Sequence, residues 1–337
     1  MRGTQRRRGL GGDGSVCRGE GSLVAGLFGL AQRHSLARHL ERCHGTDRSR
    51  GLPDGLYRLG DGGLGLADEQ VCVDGKAVRG SRDGANSAVH LVSAFAGQTR
   101  WVLAQQAVAE KSNEITAIPD LLALLDLHGA VVSADAMGCQ RALAQTIIDA
   151  GADYVLALKD NHPTLCETVQ LWLDTEVARE RLPVQETVEK DHGRIEIRRY
   201  ALSSSIDWLD AKPDWAGLQA VGRVESTRII GEKTSTECRY FLCSFPERDR
   251  FAAIVRGHWG IENQQHWVLD VQFGEDACRA RQDHSAENLA LIRRMALNVL
   301  RHNGPPRDSI RRRKLRAALN DDYRLRLLLG QPSLATA

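Results

Sequence analysis

Two aspartates each follow a short apolar run, the position at which a buried strand delivers a side chain to the edge of a sheet. Asp74 ends the run 70–74 (QVCVD), and Asp135 follows the run 130–134 (AVVSA). Carboxylates at the carboxyl ends of adjacent strands converge, and they repel each other unless a cation neutralises them. Because Mg²⁺ takes oxygen ligands and keeps several waters, such a pair suits metal ions that hold a phosphate. Either aspartate alone is more often a turn residue or a helix cap.

A third acid, Glu262, lies in the segment 258–263 (HWGIEN) of a predicted helix. His258, Glu262 and His266 are spaced four residues apart and share one helical face. This face suits either a histidine-rich site of the zinc type or a Mg²⁺ site in which Glu262 is the third carboxylate and His258 contacts phosphate. The H-E-x-x-H spacing of zinc enzymes is absent, which favours the second interpretation. An ordinary amphipathic helix with satisfied polar groups is the alternative without a metal.

The sequence around these acids predicts a mixed sheet flanked by helices. Apolar spacing predicts three strands, then a helix from Asn113 to Gly129, then alternating strands and helices. A β-rich insertion, about 184–245, separates this alternation from a C-terminal helical region. The predicted strands are 70–74, 87–95, 100–108, 130–134, 154–158, 194–200, 219–229 and 238–243, and the remaining predicted helices are 140–150, 165–173, 250–268 and 286–301.

The composition describes a globular chain with room for one large domain or two smaller ones. Of its 337 residues, 42% are hydrophobic and 26% are charged, and the net charge of +2 argues neither for nor against nucleic acid. The stretch 279–316 differs, because it holds eleven Lys or Arg residues against three acids. Such a cluster is typical of a phosphate-binding surface, and a solvated helical face is the alternative.

The cysteines and the hydropathy pattern predict a cytoplasmic protein. The eight cysteines include no C-x-x-C pair, which favours free thiols in a reducing compartment over disulfides or a zinc site. No apolar run approaches the roughly 18 residues of a membrane span. The segment 22–31 (SLVAGLFGLA) resembles a signal peptide, but Asp13 and Glu20 interrupt the basic stretch before it. We therefore expect no membrane partner.

Residues 1–66 have a different composition from the rest of the chain. They contain half of the 32 glycines, and ten arginines lie in the first fifty positions, without sustained helical or strand periodicity. Glycine at this density costs backbone entropy that the apolar residues here do not offset. We expect an atypical N-terminal segment, disordered or truncated, ahead of a domain that spans 67–330 and a short tail at 331–337.

Six blocks of sequence, in order along the chain, closely resemble the H-repeat-associated insertion-sequence transposases. This group carries a DDE acidic triad on a ribonuclease-H-like fold, and the resemblance covers about 67–330. A further stretch, 288–301 (NLALIRRMALNVLR), is also similar to that group. The six blocks are 73–81 (VDGKAVRGS), 110–122 (EKSNEITAIPDLL), 135–140 (DAMGCQ), 153–161 (DYVLALKDN), 191–200 (DHGRIEIRRY) and 256–281 (RGHWGIENQQHWVLDVQFGEDACRAR).

The resemblance implies a fold and a site. The fold is an α/β ribonuclease-H-like mixed sheet flanked by helices, with the β-rich insertion before the last catalytic helix. The catalytic and metal-binding triad matches Asp74, Asp135 and Glu262, which would hold two Mg²⁺ ions, with Mn²⁺ as an alternative ion. The residues expected to contact the DNA backbone are Lys76, Arg79, Lys159, His258, Arg279 and Arg281.

The chain departs from a pattern of related transposases in which Tyr, Arg and Lys stand at fixed distances from the glutamate. Anchored on Glu262, the three positions hold Val255, His258 and Leu269. Only the glutamate is retained, so the DNA contacts of that Arg and Lys do not transfer, apart from the assignment of His258. The HW-x-IEN form is similar to that of the H-repeat group.

These observations predict a DNA transposase that cleaves insertion-sequence ends and transfers the strands to target DNA. The enzyme would act on transposon ends and target DNA, as a homo-oligomer when two ends are brought together. Two alternatives stay open. One is a metal-dependent nuclease on the same fold, and the other is a truncated, inactive transposase remnant.

Overall fold

The computed structural model describes residues 65–330 apart from 85–86, 109–113, 192 and 283. Predictions for 1–64, for Asn113 as the first helical residue and for the tail 331–337 lie outside the described residues. The described chain forms two compact units, one ending at Met295 and one beginning at Ala296.

Nine strands of the described chain form one mixed sheet in the order β3-β2-β1-β4-β5-β9-β8-β7-β6. β1 pairs with β4, and β4 with β5, in parallel, whereas the other neighbours are antiparallel. The predicted α/β architecture of a mixed sheet flanked by helices is confirmed, and the β-rich insertion continues the same sheet because β9 pairs with β5. The strands are β1 (Gln70–Val78), β2 (Val89–Ala96), β3 (Val102–Val108), β4 (Val131–Ala134), β5 (Asp153–Leu158), β6 (Val184–Asp191), β7 (Arg194–Ser203), β8 (Ala220–Ile230) and β9 (Lys233–Cys243).

Helices follow the strands in the expected alternation. In the first unit they are α1 (Glu114–Leu122), α2 (Arg141–Asp149), α3 (Pro163–Ala178), α4 (Arg248–Gly260) and α5 (Trp267–Phe273). A π-helical turn, Ile261–His266, joins α4 to α5 without a break. α6 (Ser285–His302) follows, and α7 (Ile310–Leu319) and α8 (Asp321–Leu328) belong to the second unit.

Two element ends and one strand show most clearly how the structure differs from the sequence prediction. β1 continues to Val78 instead of ending at Asp74, because antiparallel pairing with β2 holds its polar half in the sheet. α1 ends at Leu122, seven residues before the predicted end at Gly129, and the chain between them forms turns. β6 was missed, because its side chains lie near solvent on both faces and give no buried apolar run.

The two faces of β1 have different partners. Val71 and Val73 lie in the apolar core, which α1, α2 and α3 cover. Since side chains alternate along a strand, Gln70, Cys72 and Asp74 face the opposite way. On that side the Gln70 amide donates to the carbonyl of Ile254 in α4 at 2.8 Å, and the Cys72 thiol lies 3.9 Å from the carbonyl of Gly257. Asp74 therefore lies on the face that α4 and the π turn cover.

Close packing of α4 on the sheet predicts the effect of one substitution. A Cβ at Gly222 of β8 would lie 2.4 Å from Cζ of the buried Phe251 ring. Overpacking of a filled core costs about 1–3 kcal/mol, so Gly222→Ala should lower the free energy of unfolding by that amount. Urea unfolding measures the change. Gly260→Ala is the matched control, because its Cβ would have no neighbour nearer than 3.9 Å. Equal midpoints for the two variants would contradict this packing.

Candidate functional site

Strand register sets Asp74 beside Asp135. In the parallel pairing of β1 with β4, Val73 is the partner of Ala134, and the two aspartates are the next residues of their chains. Asp135 also caps the short 3₁₀ helix Ala136–Gly138, accepting from the backbone N–H groups of Met137 at 3.1 Å and Gly138 at 3.3 Å. The two sequence-distant aspartates therefore lie side by side directly after the parallel pairing of β1 with β4, although β1 itself continues past Asp74.

The π turn brings Glu262 and His266 to Asp74. One ligand atom from each of these three residues lies within 4.8 Å of the other two. The His266 Nδ1 atom is 3.5 Å from a carboxylate oxygen of Asp74 and 3.5 Å from one of Glu262. The Asp74 side chain is 14% exposed and that of Glu262 is 56% exposed, so the cluster opens to solvent on the Glu262 side. π-helical turns are rare in proteins, and those that occur are often found at functional sites.

Charge repulsion is strong at this cluster. Burial, followed by the charges of Glu262 and Asp135, raises the pKa of Asp74 to about 8. Contact with His266 outweighs partial burial and lowers the pKa of Glu262. A divalent cation would relieve the repulsion, and two carboxylates with a third alongside and one imidazole are donors that such ions accept. The residues present therefore fit a divalent metal ion.

Comparison with known proteins identifies the family. The family described as "Transposase DDE domain" matches residues 66–299. YncI from Escherichia coli O157:H7, named as a transposase, is 38% identical over 272 residues, which are 76% of this chain and 67% of that protein. YhhI from E. coli K12, named as an H repeat-associated transposase, is 34% identical over 278 residues, covering 77% of this chain and 71% of YhhI. The chain belongs to the DDE transposase family. The family implies a divalent-metal-dependent enzyme.

The match to relatives is partial in length. A protein from Xanthobacter autotrophicus, described only by its place in the dhlA 3′ region, is 50% identical over 177 residues. These cover 52% of this chain and 60% of that relative. The chain therefore spans between about three fifths and seven tenths of these relatives' lengths. In the described part of this transposase chain, no helix is long and apolar enough to cross a membrane.

Lys76 does not lie where a DNA contact is expected, which corrects the sequence assignment. Its side chain is 9% exposed, and its ammonium group is surrounded by the carboxylates of Asp270, Glu275 and Asp276. Glu275 also pairs with Arg294 at 2.7 Å, and both of these side chains are fully buried. Burial alone would raise the pKa of Glu275, but Arg294 and Lys76 outweigh it and keep the pKa below its usual value. The positive charge of Lys76 is therefore neutralised by carboxylates inside the protein.

His258 is held beneath β4. Its Nδ1 atom shares a hydrogen bond with the Ser133 hydroxyl at 2.9 Å, and this hydroxyl accepts from the Gln70 amide at 2.8 Å. Burial lowers the pKa of His258 to about 4, so the ring is neutral at neutral pH. The imidazole therefore brings no positive charge to the phosphate contact that was predicted for it.

The other predicted DNA contacts are near the surface. Arg79, Lys159 and Arg279 are exposed, and the Arg79 side chain is 84% accessible. Arg281 donates to the Gly80 carbonyl at 3.1 Å and lies 3.5 Å from Asp83. Contacts of these four residues with DNA stay predictions.

The basic stretch 279–316 is not one charged surface, which corrects the simplest interpretation of its composition. In the first unit, Arg293 and Arg294 are buried. In the second unit, the buried Arg313 donates to the carbonyls of Leu300, Arg301 and Pro305. Arginine has five donors and can satisfy several backbone acceptors, so its presence in a sequence does not by itself mark a surface.

The acids that surround Lys76 were not assigned from the sequence, and His266 entered only through the less favoured zinc-type alternative. Asp270, Glu275 and Asp276 belong to the block that carries the resemblance, but they were not assigned. Glu114 was also missed. It is buried, and its carboxylate lies so close to Gly75 that a Cβ there would be 2.6 Å from it. The signal available was the density of acids after Glu262, which a count of positive charges alone overlooks.

The enclosed ammonium of Lys76 predicts a large loss of stability on its removal. In Lys76→Met, Arg294 is the cation that stays paired with Glu275, and the negative charges of Asp270 and Asp276 are less well neutralised. Removing one partner of a buried ion pair costs about 3–5 kcal/mol, and the partial exposure of the two aspartates favours the lower end. Chemical denaturation measures the loss. The exposed Arg279→Met should change stability by less than about 0.5 kcal/mol, and an equal effect of both variants would contradict this network.

The raised pKa of Asp74 predicts that its charge opposes folding. Since the folded state keeps this proton up to about pH 8 and the unfolded state loses it near pH 4, stability should fall as pH rises between these values. Asp74→Asn should therefore stabilise the metal-free protein at pH 8, by on the order of 1–2 kcal/mol.

Thermal unfolding in a chelator from pH 5 to pH 8 tests this expectation. Asp120→Asn, at an exposed position of α1, is the control and should keep the wild-type slope. The difference in melting temperature between Asp74→Asn and the wild type should grow from pH 5 to pH 8. A constant difference would contradict the expectation, because it would mean that other groups already compensate the charge of Asp74.

Proposed function

We propose that this chain is the catalytic part of a DNA transposase that cuts the ends of an insertion sequence and joins the freed 3′ ends to target DNA. The supporting observation is that Asp74 and Glu262, from a strand and a helix far apart in sequence, have ligand atoms within 4.8 Å of each other, with Asp135 directly after the neighbouring strand. Three convergent carboxylates with one open side are the donors that a phosphodiester-cleaving metal site requires.

In this proposal, Asp74, Asp135 and Glu262 would hold two Mg²⁺ ions, because the charges of Asp135 and Glu262 both act on Asp74. Mn²⁺ is the alternative ion. Bound divalent ions would supply an activated water, or an activated 3′ hydroxyl, and charge stabilisation for the leaving oxygen. The protein's own contribution is to hold the three carboxylates in place and to admit the phosphate on the exposed Glu262 side. No covalent protein nucleophile is required.

The proposed partners are transposon-end DNA and target DNA. Arg79, Lys159, Arg279 and Arg281 would contact backbone phosphates, and binding would weaken as the salt concentration rises. We propose that 67–330 forms the catalytic region, with its insertion at about 184–245, and that two copies act together in the cytoplasm when both ends are joined.

A cleavage and joining assay on labelled DNA from the flanks of the coding sequence tests this function. We expect metal-dependent nicks at the element's ends followed by joined products. Asp74→Asn, Asp135→Ala and Glu262→Gln should each lower the rate by at least about 100-fold, because each removes charge from the reacting centre. Glu167→Gln, at an exposed position of α3, is the control and should keep the wild-type rate.

Two outcomes of this assay would overturn the proposal. Continued nicking by the Asp135→Ala protein in Mg²⁺ would exclude the triad. Cut ends without joined product would assign the site to a nuclease instead of a transposase.

A further inference from the structure

The tightest cluster in the site is a mixed one, with two carboxylates and one imidazole. Within the described residues, the group whose ligand atoms lie within 4.8 Å of one another consists of Asp74, Glu262 and His266. Asp135 raises the pKa of Asp74 through its charge but does not belong to this group. The third ligand atom of this group, beside the carboxylate oxygens of Asp74 and Glu262, is therefore a nitrogen atom.

The position of His266 suits a ligand better than a hydrogen-bond partner. Its Nδ1 atom lies 3.5 Å from each carboxylate, which is longer than an ordinary N–H···O hydrogen bond. Ligand atoms that share one cation at about 2.1 Å stand roughly 3–4 Å apart. A cation placed among the three groups would therefore require only small side-chain movements.

The backbone and the burial of His266 fix this position. Glu262 and His266 come from the same π turn, and Asp74 comes from the strand beneath it. The His266 side chain is only 5% exposed, so it has little freedom to turn toward solvent. With Nδ1 on a metal, the ring proton would reside on Nε2, as is usual for histidine ligands.

Several buried polar atoms on the π turn and on β2 are incompletely satisfied. Among the described residues, Nε2 of His266, both amide atoms of Gln265 and the hydroxyl of Ser93 are buried without a hydrogen-bond partner. Ser93 is the direct partner of Asp74 in the β1–β2 pairing. Buried polar atoms of this kind are commonly bridged by ordered water, which would give the Nε2 proton its acceptor.

We propose that His266 is a metal ligand, with Nδ1 joining Asp74 and Glu262 around one divalent cation, and that this nitrogen makes the position prefer Mn²⁺ over Mg²⁺. The inference rests on the proposed function, because it concerns the same metal site. Mg²⁺ is held almost entirely by oxygen, whereas first-row transition ions accept imidazole readily. Mn²⁺ shares with Mg²⁺ a preference for carboxylate and water, so it is the ion that fits this mixed set.

Pulsed electron paramagnetic resonance of Mn²⁺ bound to the full chain, without DNA, tests the ligand directly. The wild type should show ¹⁴N coupling to the manganese, and labelling of histidine with ¹⁵N should replace it with ¹⁵N coupling. His266→Ala should lose the coupling. His258→Gln is the matched control on the same helical face, and it should keep the coupling because Ser133 holds the Nδ1 atom of His258.

Calorimetric titration with Mn²⁺ and with Mg²⁺ tests the preference. His266→Ala should weaken Mn²⁺ binding by about 10-fold or more and Mg²⁺ binding by less than about 3-fold. His266→Gln is the second variant if the alanine protein does not fold by circular dichroism. Bound Mn²⁺ without histidine coupling, or equal losses for both ions, would overturn the inference.

The titrations also separate this inference from the proposed function. If Glu262→Gln abolishes metal binding but His266→Ala changes neither the spectrum nor the ratio of affinities, the carboxylate site stands and the histidine ligand is excluded. If the wild type binds neither ion, the metal basis of the proposed function fails as well.

Discussion

Repulsion among three carboxylates is the constraint on which the rest of this structure depends. Asp74 is partly buried and its pKa is raised by burial and by its neighbours Glu262 and Asp135, so the site opposes its own assembly. The attraction that offsets this repulsion lies two residues further along the same strand. Lys76, on the same face of β1, is enclosed by three carboxylates, and one of them, Glu275, is also held by the buried Arg294. The strand and the helix are therefore joined by ion pairs next to the place where their acids repel.

Alternate residues of β1 make successive contacts along the helical segment. Gln70 reaches Ile254, Cys72 reaches Gly257, Asp74 reaches His266 and Lys76 reaches Asp270. The segment that carries Glu262 is thereby fixed on both sides of the π turn. Gly257 is required for this approach, because a Cβ there would lie 2.2 Å from the Gln70 amide oxygen. One face of one strand thus determines where the third acid stands.

Local sequence patterns predicted many of the strands and helices and the place of the two aspartates. The other features depend on pairing between distant parts of the chain, which local patterns do not show. The apolar runs before Asp74 and Asp135 located two adjacent parallel strands, because burial of a strand is visible in its residue types. The polar half of β1 and the exposed β6 were not predictable in this way, since pairing with another strand holds them in place. Lys76 was misassigned for the same reason. The sequence gives its charge, but the acids that neutralise it lie almost two hundred residues later.

The two positions at which the related pattern carries basic residues supply no positive charge in this chain. His258 is neutral, and Leu269 is buried, so neither supplies a cation on this helix. Exposed charge is found instead where the turn after β1 meets the loop after α5. Arg281 donates to the Gly80 carbonyl and the Arg79 backbone N–H donates to Asp276, while Gly80 has no room for a side chain against the Cys278 carbonyl. These contacts hold the two segments together, and the exposed Arg79 and Arg279 lie on them. Asp276, which contacts Arg79, also pairs with Lys76. If DNA enters on the Glu262 side, its phosphates meet charge that is fixed to the same strand as Asp74.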